Sequence, residues 1–279
     1  MNTVTSRDGT RIAYDATGEG PVVILIGGAF SYRRFPKSVQ LAELLAEQFT
    51  VINYDRRGRG DSGDNKPHSV TREVEDLDAM IAANGGSASL WGWSSGAVLA
   101  VRAAAAGLPV ERLALYEPPF LVDDSRPLPA ADFEQRLDAL VHADRRGDAV
   151  KLYMTEGMGA PSFFVNAMRL LPVWSRLKAV AHTLPYDWAI LGDTISGKPL
   201  TPAWRQVTAP TLVMAGEKSP LQLRNAAQAL ADILPFGTHR LLAGQSHNPS
   251  MKAQAPFIAD FLGTNRRPDA ALAQAPSAA

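Results

Sequence analysis

A chain of 279 residues, 46% of them hydrophobic, is long enough to bury a substantial core as one large domain or as a core with an inserted subdomain. Its 28 lysines and arginines balance 28 aspartates and glutamates and are scattered along the chain, which argues against a polyanionic partner such as nucleic acid. With no cysteine, disulfides, thiolate metal ligands and a cysteine nucleophile are all excluded, and a reducing compartment is favoured.

The first residues, Met1 to Gly9, hold no basic stretch followed by an apolar one. No later run reaches the roughly 18 apolar residues of a membrane helix, so a cytoplasmic protein without a membrane partner is expected. Asp8-Gly9 lies between the short alternating segments Val4 to Ser6 and Arg11 to Tyr14 and predicts an opening antiparallel hairpin. Apolar runs at 22–27, 50–54, 87–92, 110–116 and 210–215 read as strands, and a last strand is placed near 238–242. Helical patterns fall at 37–48, 70–83, 95–107, 220–233 and 253–262. Continuous apolar strands alternating with helices predict an α/β fold with a mostly parallel sheet covered on both faces.

That rhythm breaks between Glu117 and about Trp204, where the sequence is polar and helical with interspersed aromatics (Phe133, Tyr153, Phe163, Phe164, Trp174, Tyr186, Trp188) and no strand run. So long a segment is not a plain loop in a compact domain, and the expectation is a helical cap over the sheet's carboxyl edge. The boundaries expected are a core of 1–120 and 205–263, a cap of 121–204 and a disordered, Ala/Pro/Gln-rich tail of 264–279. About half of the cap aromatics are expected only to hold the cap together.

The chemistry centres on Leu90-Trp91-Gly92-Trp93-Ser94-Ser95-Gly96-Ala97, a Gly-x-Ser-x-Gly pattern between a strand-like and a helix-like run. A serine in a sharp turn needs flanking glycines where a Cβ would clash, and Ser94 alone has that frame. Its hydroxyl is a weak nucleophile at neutral pH, so it needs a base, an orienter and donors for the oxyanion. His247, in Gly244-Gln245-Ser246-His247-Asn248-Pro249 after the last strand, is the expected base. His68 and His239 read as surface positions and His142 as part of a charged helix, while His182 could line a pocket but has no strand to hold it. The backbone N–H groups of Ser95 and of Ala29, in the loop Ile26-Gly27-Gly28-Ala29-Phe30, are the expected oxyanion donors.

These residues resemble the α/β-hydrolase fold superfamily over roughly 1–263: Gly-Trp-Ser-Ser-Gly at 92–96, Gly27-Gly28, Asp55-Arg56-Arg57-Gly58-Arg59-Gly60-Asp61-Ser62 after the second parallel strand, and the late His247. One departure matters. Many members carry the third catalytic residue in a Gly-Glu-x-Asp-Pro stretch, and this chain reads Gly216-Glu217-Lys218-Ser219-Pro220, with serine where the aspartate would stand. Branches resembling haloalkane dehalogenases carry the acid one strand earlier, where this chain has Glu117 in Leu115-Tyr116-Glu117-Pro118-Pro119. The resemblance therefore implies Glu117 as the residue orienting His247, with Glu217 as runner-up and an acid-less Ser-His pair third. On that reading Glu117→Gln is damaging and Ser219→Ala does little.

The activity implied is hydrolysis of an ester, lactone or related acyl substrate through an acyl-enzyme. A serine at the elbow argues against dehalogenase and epoxide hydrolase chemistry, which resemble this fold but use aspartate. Gly28, Phe30, Trp93 and Trp188 are expected beside an apolar substrate group. Two alternatives stand: a non-hydrolytic receptor that keeps the pocket, and a lyase or cyclase using His247 without acylating Ser94. No His/Asp/Glu cluster has metal-ligand spacing, so neither metal nor cofactor is expected. The expected partners are a small-molecule substrate and, at most, a second copy of the chain in a homodimer.

Overall fold

The Asp8-Gly9 pair turns the chain back on itself. Gly9 takes φ +83°, and the turn closes through Ser6 N–H to Thr10 O at 2.8 Å and Gly9 N–H to Ser6 O at 2.9 Å. The strands it joins, β1 (Asn2–Thr5) and β2 (Arg11–Thr17), pair antiparallel. The computed structural model, which describes residues 1–264, extends this ribbon into an eight-stranded sheet. The further strands are β3 (Val22–Ile26), β4 (Thr50–Tyr54), β5 (Ala88–Trp93), β6 (Val110–Tyr116), β7 (Thr211–Gly216) and β8 (Gly237–Leu242). Their order is β1-β2-β4-β3-β5-β6-β7-β8; β2 also meets β4 antiparallel, and all later pairings are parallel.

Apolar runs without alternation make sense in this sheet because both faces are covered. Ile24 and Ile26 of β3 point into one core with Leu77, Met80 and Ile81 of α2 (Val70–Ala83), Val98 and Val101 of α3 (Ser95–Ala105), and Leu230 of a later helix. Val23 and Leu25 point into the other, with Leu41 and Leu45 of α1 (Pro36–Leu45) and Met251 and Ile258 near the C-terminus. Helix α1 ends at Leu45 rather than near 48, because the Gln48 and Phe49 N–H groups both turn back to Leu45 O at 3.1 Å and the Phe49 ring is buried.

Between β6 and β7 the chain forms α4 (Phe133–His142), α5 (Arg146–Leu152), a π-turn at Tyr153–Gly157, α6 (Ser162–Met168), α7 (Val173–Ala179) and α8 (Leu184–Leu191). Among the described residues this insertion carries no strand, only an isolated bridge between Leu121 and Ile195. It has its own apolar cluster around Phe133, Leu137, Val150, Tyr153, Trp174 and Leu184, against which Phe30 packs from the core. Phe163 and Phe164 face outward, 79% and 52% exposed. The fold closes with α9 (Leu221–Ile233) and α10 (Met251–Gly263). No helix among the described residues is long and apolar enough to cross a membrane. The tail expected to be disordered lies, from residue 265 on, outside the described residues.

Candidate active site

The strand order reverses at β3, with β4 on one side and β5 on the other, and in open α/β sheets ligands bind at such a switch point, outside the strands' carboxyl ends. Ser94 sits there, between β5 and α3, with φ 58° and ψ −126°. Such a backbone is strained for a residue with a side chain, by about 1–3 kcal/mol, and persists only where the surroundings enforce it. They do. Ser94 N–H donates to Tyr116 O at 2.9 Å, and Ser94 O accepts from Ala97 N–H at 2.9 Å. The turn closes on glycines: a Cβ on Gly92 would stand 2.5 Å from Ala97 Cα, and one on Gly96 would meet Ile26 O and come within 2.8 Å of Gly27 O. Gly28 lies directly against the serine, since a Cβ there would come within 2.9 Å of Ser94 Cβ and 2.7 Å of Trp93 O.

Glu117 follows β6 with φ 47° and is fully buried. Its Oε2 lies 2.7 Å from His247 Nδ1. Its Oε1 accepts from Gly216 N–H at 2.6 Å and from the Ser219 hydroxyl. The structure thus brings His247 to Glu117, while Glu217 is exposed and accepts from Gly244 N–H at 2.9 Å. Ser219, expected to matter little, is a direct hydrogen-bond donor to Glu117: the serine at the position of the missing aspartate is turned to holding the carboxylate supplied by the neighbouring strand. The loop bearing His247 is pinned by Tyr116 Oη–H to Ser246 O at 2.7 Å, Trp93 Nε1–H to His247 O at 3.2 Å, and the Lys37 ammonium to Pro249 O. Burial, with the Glu117 charge alongside, pushes the Tyr116 phenol far above its ordinary value, so it stays a donor. Ser94 Oγ is not among the hydrogen-bond partners of His247 in this structure; in ligand-free sites such contacts often tighten only with substrate.

The Asp55–Ser62 stretch builds the floor behind the serine. Asp55 accepts from Arg33 N–H at 2.6 Å and from Asp61 N–H at 2.9 Å, which ties the loop after β4 to the loop after β3. Arg56 forks onto Glu73 at 2.7 and 2.8 Å and reaches Asp187 of α8 at 2.6 Å. Arg59 reaches the other oxygen of Asp187 at 2.6 Å. All four side chains are buried. Burial would raise the Glu73 carboxyl, but Arg56 and His68 outweigh it and hold it well below its ordinary value. Ser95 completes the set by donating its hydroxyl to Asp187 Oδ1 at 2.7 Å.

Phe30 adopts φ 65°, and its ring meets Tyr153 edge-on at 5.9 Å. Trp93 is partly buried between Phe35 and His247, at 6.3 Å from each ring. Trp188 packs against Phe133 at 4.3 Å, bridging the insertion and the core. Two histidines read as surface positions are not: the His68 side chain is 9% exposed, stacked on Tyr186 at 3.8 Å and 3.0 Å from Glu73, and His239 is half-buried. Tertiary contact with α8 covers the first, and nothing local announces it. Asp187 was also missed, although a lone carboxylate in the apolar run Leu-Pro-Tyr-Asp-Trp-Ala-Ile-Leu is a legible sign of a buried ion pair.

A family model described as the alpha/beta hydrolase family matches residues 23–260. The crystal structure of an alpha/beta hydrolase from Sphaerobacter thermophilus DSM 20745 superposes with a TM-score of 0.87 at 50% identity, covering 93% of this chain and 99% of that one. Over 87 residues, 28% of this chain, the sequence is 38% identical to "Probable oxidoreductase EphD" of Mycobacterium tuberculosis (strain ATCC 25618 / H37Rv), but this spans only 14% of that protein's length. Over 104 residues, 35% of this chain and 36% of the other, it is 35% identical to "Serine hydrolase BPHL" of Homo sapiens. The family model runs from the first parallel strand to the last helix and a structure of the same fold is 50% identical over nearly its whole length, so the chain belongs to the alpha/beta hydrolase family.

Proposed function

We propose that the protein is a serine hydrolase acting on an ester, lactone or related acyl substrate with an apolar group. Ser94 Oγ attacks the carbonyl carbon while His247 Nε2 takes its proton, and the carbonyl oxygen becomes an oxyanion held by the Ala29 and Ser95 N–H groups. Collapse of this intermediate expels the leaving group, to which His247 returns the proton. Water then repeats the sequence on the acyl-enzyme and releases the acid. Glu117 holds the tautomer in which Nδ1 carries hydrogen and stabilises the imidazolium as it forms.

The observation that carries this reading is the 2.7 Å contact between His247 Nδ1 and a fully buried Glu117 whose other oxygen is already satisfied. The similarity to a human serine hydrolase and the strained Ser94 backbone support it. Residues 121–204 are read as a cap over a core of 1–120 and 205–263. Gly28, Phe30, Trp93 and Trp188 are read as the residues that meet the acyl or alcohol group, a reading supported by the contact of Phe30 with Tyr153 across the two parts.

Treatment with a fluorophosphonate, which phosphonylates activated serines, followed by peptide mapping tests the proposal. A single adduct on Ser94 that is lost in His247→Ala is the expected result, and an ester, thioester and lactone screen then defines the substrate. A folded protein that takes no adduct on Ser94 would overturn the reading in favour of a receptor or a lyase.

A further inference from the structure

The insertion supplies one fully buried carboxylate, Asp187, and both loops expected to hold the oxyanion end on it. Its Oδ1 accepts from the Ser95 hydroxyl at 2.7 Å, so the residue offering one oxyanion N–H is anchored by its own side chain to α8. Its Oδ2 accepts from Arg59 Nη2 at 2.6 Å, and Arg59 Nη1 donates to Gly28 O at 2.8 Å. Gly28 C=O and Ala29 N–H belong to one planar peptide unit and point in opposite directions, so fixing the carbonyl fixes where the N–H aims. A guanidinium on that carbonyl also polarises the unit and strengthens its N–H as a donor. Ser31 N–H and its hydroxyl close on the same Gly28 O, at 3.2 and 2.6 Å, and Arg59 Nη1 also reaches Ser31 O at 3.3 Å, so the turn is local while Asp187 is the carboxylate that pairs with the guanidinium on it. Arg56, on Asp187 Oδ1 at 2.6 Å, and Thr183, accepting from Arg59 Nε at 3.0 Å, complete the bracket.

We propose that Asp187 is a positioning residue that sets both halves of the oxyanion hole from the insertion, through the Ser95 hydroxyl on one side and Arg59 with the Gly28–Ala29 peptide on the other. The inference rests on the serine-hydrolase reading above. It assigns to α8 a role in the chemistry, since undocking this helix removes the carboxylate that holds both donors.

The test uses Ser95→Ala and Asp187→Asn in the full chain, with kcat and KM for a 4-nitrophenyl ester expressed per serine titrated by fluorophosphonate. Titration removes any loss due to unfolded protein. Contacts to an oxyanion strengthen in the transition state, so kcat is expected to fall about tenfold in Ser95→Ala and about a hundredfold in Asp187→Asn, with KM within about twofold of wild type. Because the Ser95 hydroxyl acts through Asp187, whose other arm is Arg59, the double variant is expected to be no worse than Asp187→Asn alone. If Asp187→Asn does not fold, Ser95→Ala decides by itself. Wild-type kcat per titrated serine in Ser95→Ala, or in both variants, overturns the Asp187 assignment and leaves the serine hydrolase standing. A wild-type protein that takes no adduct on Ser94 and hydrolyses no ester overturns both.

Discussion

Glu117 serves two sets of donors with one carboxylate, His247 through Oε2 and Gly216 with Ser219 through Oε1. Glutamine keeps the shape but has a single acceptor oxygen. The two fixed donors on the Oε1 side claim it, which turns the amide NH2 toward His247 Nδ1. The ring then holds its hydrogen on Nε2, the wrong tautomer for a base, and kcat for Glu117→Gln is expected to fall by about four orders of magnitude, the scale of an orienting carboxylate in serine proteases. Ser219→Ala removes one hydrogen bond to a charged group and leaves Gly216 N–H in place, so a loss of about tenfold is expected in the same assay. Equal and mild effects would show that Glu117 does not orient His247. Ser94 and His247 were legible in the sequence because each sits in a local frame, glycines around one and a short loop after the last strand around the other. Glu117 was legible only through a family resemblance. The role of Ser219 was not, because its partner lies 102 residues away and no periodicity encodes a contact between neighbouring parallel strands.

The elements that carry these residues meet through glycines. Helix α3 approaches β3 so closely that a methyl group on Gly96 would press on the carbonyls of Ile26 and Gly27, both backbone and unable to swing aside. Gly96→Ala is therefore expected to cost about 1–3 kcal/mol or more by overpacking, read as a lower midpoint in urea. It should also cut activity beyond the stability loss, because the displaced Gly27 carbonyl carries the Gly28–Ala29 peptide with it. Unchanged kcat with a lowered midpoint would show that the two loops move independently. At this scale the sequence was highly legible: apolar runs located β3 to β7 to within a residue or so, since strands buried on both faces must be largely apolar, and only the exposed edge strand β8, Gly-Thr-His-Arg-Leu-Leu, lacks that signal. Where the reading slipped, as at the end of α1, backbone hydrogen bonds to Leu45 and the buried Phe49 ring decided the boundary. The turns of the insertion were not legible because its short helices lean on one another and not on a repeated pattern.

Across the whole molecule, the insertion is fastened to the core by buried charge and by histidine. Asp187 faces both Arg56 and Arg59, and since Glu73 still pairs with Arg56, Asp187→Ala leaves Arg59 as the buried cation without a paired carboxylate; a loss of about 3–5 kcal/mol is expected in chemical denaturation. A second fastening titrates. The His182 ring lies 2.7 Å from Gly58 O through Nε2, while Nδ1 is buried with no partner among the described residues. Neutral imidazole suits this site, with Nε2–H donating and Nδ1 bare. Burial, reinforced by Arg146 and Lys66, outweighs the Gly58 contact and Asp64 and holds the ring below its ordinary value of 6.5. The unfolded chain then binds this proton more readily than the folded one, so stability rises with pH across the window between the folded value and 6.5 and is lost as pH falls through it. His239 is lowered in the same direction by its own burial and contributes to the same slope. Glu73 acts elsewhere, since its carboxyl is held below 4.5 and its contribution fades only in stronger acid. Melting temperatures from pH 8 to 5 for wild type and His182→Gln separate these groups. The glutamine can still donate to Gly58 O but does not titrate, so the variant is expected to lose less stability than wild type below about pH 6.5, with the His239 slope common to both. Parallel curves for the two proteins would show that His182 takes up no proton on unfolding and that the contact to Gly58 does not report on pH.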